Sequence, residues 1–132
     1  MYQKDEGINL DNFSIEEEIK KFQGEVEPDG WDVVLRVYVE PQVKNGLIIP
    51  DKVHDEQQIT GCVGLVVAMA PGVYKDERYK NTGKWCQLGQ WRLFPRFVGY
   101  TIYHDGIPLR ILKEDQVGPK AADPRKINRF RG

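Results

Sequence analysis

Tyr100-Thr101-Ile102-Tyr103-His104-Asp105-Gly106-Ile107-Pro108-Leu109-Arg110-Ile111-Leu112 reads as two strands joined by a turn. Asp-Gly tolerates the positive φ that a two-residue hairpin turn requires, and the flanks are rich in β-branched and aromatic residues. The strands are predicted over Phe97–Tyr103 and Ile107–Leu112, with the turn at His104-Asp105-Gly106. Upstream, Trp91–Phe94 alternates and stops at Pro95, a further short strand. Ile59–Met69 is a longer one, and Gly61 and Gly64 inside it predict a bulge or bend. Trp31–Val39 is dense in valine and too irregular for a helical stripe, so it is read as the first strand of the core. Five or six short strands separated by Gly/Pro turns predict an all-β fold, a small antiparallel barrel.

One helix is expected, and it lies outside that core. Ser14-Ile15-Glu16-Glu17 has the form of a capping box. Ile15, Ile19 and Phe22 then share a face, while Glu16/Lys20 and Glu17/Lys21 form i,i+4 pairs. So short a helix is marginal alone, so its apolar stripe is expected to dock on its own domain. Pro28-Asp29-Gly30 marks the boundary, which divides the chain into a leader (1–29), a barrel (30–118) and a tail (119–132). Val73–Gly83 is a charged, tyrosine-rich excursion with room for one helical turn. Gln116-Val117-Gly118-Pro119 makes a poor strand and reads as a polar exit.

With 40% hydrophobic and 30% charged residues, the chain can bury a real core, and 132 residues suit one domain. The net charge of -1 argues against a generic nucleic-acid binder. Charge is nevertheless segregated. Residues 1–29 hold nine acids and three lysines, a net of -6; residues 119–132 hold five bases and one acid, a net of +4. Such tails can clasp each other, clasp a neighbouring copy or remain solvated. No apolar run approaches the roughly 18 residues of a membrane span, and no signal-peptide core is present near the start. Cys62 and Cys86 lack metal-ligand spacing and are read as small buried hydrophobes in a reducing setting.

Nothing in the chain points to catalysis, a metal or a cofactor. His54 and His104 stand in polar segments without a nucleophile or carboxylate at a known catalytic spacing, and no phosphate-cradling glycine loop is present. The acids at Glu16–Glu18 are a solvated helix face. Trp31, Trp85, Trp91, Phe94 and Phe97 could form a stacking platform for single-stranded nucleic acid, but no bases are interleaved at strand spacing, so core packing is the better reading.

The most unusual stretch is Asn45-Gly46-Leu47-Ile48-Ile49-Pro50-Asp51. Three aliphatic side chains sit between a glycine and a proline, with strongly polar flanks. The run is too short for a helix, and Pro50 cannot donate to a ladder. It reads as a surface loop carrying an apolar contact site, or equally as a short buried strand closing the barrel.

The ordered set resembles the GroES (chaperonin-10) family, especially its bacteriophage-type members. The matching residues are Val33-Val34-Leu35-Arg36, Lys44 through Asp51, Thr60 through Gly72, Tyr74-Lys75-Asp76, Gly83 through Cys86, Leu88 through Phe94 and Leu109 through Asp115. The resemblance implies a GroES-like β-barrel and a homo-oligomeric ring of seven subunits. It implies docking on a GroEL-type chaperonin through Gly46, Leu47, Ile48 and Ile49, with no chemistry and no cofactor. For a phage member the client is a capsid protein, folded in the host cytoplasm. A second reading makes the chain a structural component of the virion that keeps the barrel, with its charged tails exchanged between neighbours.

Overall fold

A computed structural model describes residues 7–41, 43–44, 47–48, 62–75, 77–80 and 86–127. Helix α1 (Ile15–Phe22) precedes β1 (Asp32–Val37), and a two-residue ribbon follows, β2 (Val43–Lys44) with β3 (Leu47–Ile48). Then come β4 (Val63–Met69), β5 (Trp91–Leu93), β6 (Tyr100–His104), β7 (Ile107–Lys113) and β8 (Lys120–Ala121). Six strands form one sheet in the order β6-β7-β1-β4-β5-β8, with every neighbouring pair antiparallel. The architecture is the small antiparallel all-β fold expected from the strand pattern, with one short helix.

The β6–β7 hairpin turns at Asp105 and Gly106, with φ of 51° and 79°. Positive φ at both central residues is the type I′ requirement that Asp-Gly meets. Arg110, on β7, holds the preceding turn: its Nη2 donates to Arg96 O (2.7 Å) and Val98 O (2.5 Å), and its Nη1 to Thr101 Oγ1 (2.9 Å). The bulge falls elsewhere than expected. Val34 pairs with Ala68 and Leu35 with Val66, so the extra residue is Val67, beyond Gly64; Gly61 lies outside the described residues.

Adjacent residues of β1 point to opposite faces, and both faces are buried. Val33, Leu35 and Val37 pack with Val66 and Leu112 beneath Val73, Tyr74, Tyr79, Cys86 and Phe94. Of those covering residues, Val73, Tyr74 and Tyr79 come from the excursion, which carries a 3-10 turn at Glu77–Tyr79. Buried Glu114 pins it: its Oε2 accepts from Tyr74 N at 2.6 Å, and the Tyr74 hydroxyl donates to Glu114 O at 2.8 Å. Val34, Leu65, Val67, Leu109 and Ile111 form the other face, and there the leader lies down. Phe22 is fully buried, and Ile8 nearly so, with Leu10, Phe13 and Ile19 packed around them.

The helix forms for the reasons legible in its sequence. Ser14 Oγ accepts from Glu17 N at 3.3 Å, and the helix ends at Phe22, two residues before Gly24. Burying a phenylalanine contributes about 2–3 kcal/mol, enough to hold so short a helix on the sheet. Beneath α1, Arg36 is 3% exposed and pairs with Glu18 at 3.3 Å.

Two aromatic assignments to the core need correction. Trp91 and Phe94 are buried, whereas Trp31 is 56% and Phe97 89% exposed; Trp85 lies outside the described residues. Trp31 precedes β1, beyond the reach of either cluster. Phe97 sits in the turn whose flanking carbonyls Arg110 takes, which leaves its ring outside. Cys86 is buried and Cys62 half-buried. The tail contributes a strand that the sequence reading lacked: β8 pairs Ala121 with Trp91 and Lys120 with Arg92. Among the described residues no helix is long and apolar enough to cross a membrane.

Candidate partner-docking loop and its root

The chain leaves the sheet after Val39 and rejoins it at Cys62. Between them, Val43 pairs with Ile48 and Lys44 with Leu47. In the sequence these two strands are separated by Asn45-Gly46, a dipeptide favoured in two-residue hairpin turns. Leu47 and Ile48 are therefore in a strand, but its partner is β2; the ribbon forms a sheet separate from the six-stranded one. Of the four candidate contact residues, Leu47 and Ile48 lie in β3, while Gly46 and Ile49 fall outside the described residues, as does His54.

The root of this loop is tightly built. On the outgoing limb, Tyr38 N donates to Val63 O at 2.9 Å, and on the returning limb Phe94 N donates to Cys62 O at 2.9 Å. The leader joins as a third strand-like segment: Ile8 N donates to Val39 O at 2.8 Å. Gly7, with φ +95°, passes so close that a Cβ there would lie 2.4 Å from Glu40 O. Tyr38 packs edge-on against Trp91, and Phe13 lies tilted against the same indole, each pair of ring centroids 5.9 Å apart.

The tail reaches the same place. Arg125 is anchored to Asp123 (Nη2–Oδ2 3.0 Å) and approaches Asp11 of the leader to 3.9 Å. Hydrogen bonds from the Arg125 side chain and backbone hold the Asp123 carboxyl below its ordinary value. Burial, with the Glu40 carboxylate second, pushes the Tyr38 phenol up to about 12, against a smaller opposing pull from Arg125. Tyr38 is thus a neutral hydroxyl at the point where loop, leader and tail meet. Among the described residues no group of three or more His, Cys, Asp or Glu is placed to hold a metal ion.

The chain is 36% identical over 85 residues to Co-chaperonin GroES 1 of Rhodopseudomonas palustris, a match spanning 64% of this chain and 82% of that relative. It belongs to the GroES co-chaperonin family. A second GroES relative, the Co-chaperonin GroES of a Caulobacter species, is 34% identical over 85 residues, with 64% of this chain and 83% of the relative covered. No family model matches the chain. The GroES assignment agrees with the antiparallel architecture.

Sequence reasoning missed the root residues. Asn45-Gly46 was a visible hairpin signal that could have turned the loop into a ribbon. Ile8, Phe13 and Arg125 carried no such signal, because their contacts are made with residues far away in the sequence.

Proposed function

We propose that this protein is a co-chaperonin subunit that caps a GroEL-type chaperonin, with Gly46, Leu47, Ile48 and Ile49 making the contact. The observation that carries the reading is the β2–β3 ribbon, paired with itself and separate from the main sheet, in a chain of the GroES family. Each ribbon offers a small apolar contact, and one such contact binds weakly. Several ribbons on one ring raise the apparent affinity through effective concentration, by a factor of about 100 to 10,000. A heptameric ring supplies that valency. The subunit acts by binding alone, with no chemistry and no cofactor, in the cytoplasm of the host cell. Its client is a phage capsid protein.

Capture on immobilised GroEL in the presence of ADP tests the partner. The wild-type chain should be retained, and Ile48→Asp should be lost from the eluate while keeping the wild-type unfolding midpoint. Failure of the wild-type chain to bind with nucleotide present sinks the reading. Native mass spectrometry of the free protein reports the ring size.

A virion role for the barrel drew its argument from tails of opposite charge exchanged between neighbours. Asp11 and Arg125 meet within one chain, which leaves that argument without a particular observation in its favour. Proteomics of purified particles distinguishes the two readings.

A further inference from the structure

We infer that the leader is a brace on the loop root: Gly7 and Ile8, seated on Glu40 and Val39, fix the direction in which the chain leaves the sheet toward the ribbon. The inference rests on the docking role proposed for that ribbon. Residues 7–8 are positioning residues; they touch the chain just before the ribbon and not the ribbon's partner.

Three independent contacts converge on the root. The first is the backbone bond from Ile8 N to Val39 O, beside a buried Ile8 side chain. A glycine passing against Glu40 and Pro41 is the second; any larger residue at position 7 would drive the two strands apart. The third is Phe13 against Trp91, which in turn holds Tyr38 on the outgoing limb. The Asp11–Arg125 approach adds little, because both side chains are largely exposed.

The physical consequence is preorganisation. A loop that must be oriented before it docks loses conformational freedom on binding, and a root fixed beforehand lowers that cost. Without the leader, Val39 loses the Ile8 N–H from its carbonyl, while β1, the Tyr38–Val63 bond and the Tyr38–Trp91 contact remain to hold the outgoing limb.

Two variants of the full chain test the brace. Ile8→Pro deletes the donor of the bond to Val39, and Gly7→Ala places a methyl against Glu40 O. Amide hydrogen exchange is followed at Val43–Ile48 and, as an internal reference, at the β1–β7 ladder. The expected result is about tenfold faster exchange in the ribbon, with Leu35 and Ile111 unchanged. Capture on GroEL with ADP should weaken about tenfold in parallel, and Ile8→Val should restore both readouts.

Unchanged ribbon exchange in both variants overturns the brace. So does faster exchange shared equally by the β1–β7 ladder, which reports loss of the whole sheet. If the wild-type chain fails to bind the chaperonin, the docking reading falls, and the exchange data still decide whether the leader restrains the root.

Discussion

Arg36 Nε lies 3.3 Å from Glu18 Oε1 beneath helix α1, and the guanidinium also donates from Nη1 to Val37 O at 2.6 Å. The buried charge of Arg36, on the sheet face that carries the leader, is held by a carboxylate from the leader. Sheet and leader are therefore matched electrically as well as by shape.

Glu18→Gln should remove the charge partner while leaving an oxygen acceptor, and Glu18→Ala should remove both. The expected losses are about 1 and about 2–3 kcal/mol, since bonds to charged groups contribute more than neutral ones and a buried guanidinium that loses its carboxylate is less well compensated. Urea unfolding of the two variants checks the order. Equal stability of both with the wild type would show that Arg36 is solvated by other means.

Gly89 is constrained twice. Its φ is +85°, and a Cβ there would sit 3.2 Å from Ile15 Cγ2 on the helix. Gly89→Ala should cost about 1–2 kcal/mol from the backbone alone, plus the displacement of α1. In a double-mutant cycle, Ile15→Ala should recover the second part and not the first, so the two substitutions should be non-additive.

Tyr38 gives a pH dependence with a definite sign. A phenol whose folded value is raised to about 12 from 10.0 favours the protonated folded state. Its stabilising contribution is complete below pH 10 and is lost as pH rises from 10 through about 12. Unfolding midpoints measured across this window should fall for the wild type and fall less for Tyr38→Phe. Identical profiles would mean that the phenol ionises freely at the root.

Glu114→Ala should leave the buried Tyr74 N–H without its carboxylate acceptor, costing about 2–3 kcal/mol. The excursion at 73–80 should then exchange its amides faster than β1. Tyr74→Phe, which loses only the hydroxyl bond to Glu114 O, should cost about 1 kcal/mol by thermal or urea unfolding.

The sheet was largely legible in the sequence because its signals are local. Asp105-Gly106 demands a hairpin, and the valines of 33–37 and 63–67 can be satisfied by strands buried on both sides. What was not legible is long-range. Lys120-Ala121 has no strand character of its own and becomes one only because Trp91 and Arg92 present a ladder to it. The bulge at Val67 adjusts β4 to its partner β1; it falls in the strand where one was expected, but three residues beyond Gly64. At the candidate site, the aliphatic trio was conspicuous for its composition. The Ile8–Val39 bond beside it uses backbone atoms, which every residue has, so no side-chain pattern announces it.

The approach of Asp11 to Arg125 has a practical corollary for anyone labelling the molecule. Sequence-distant segments, one holding Asp11 and the other Arg125, come together near the base of the ribbon. A fluorophore attached at position 11 or 125 would therefore sit close to whatever the ribbon engages. Reporter groups are better carried by the β6–β7 hairpin turn at Asp105-Gly106, at the opposite margin of the sheet from β8.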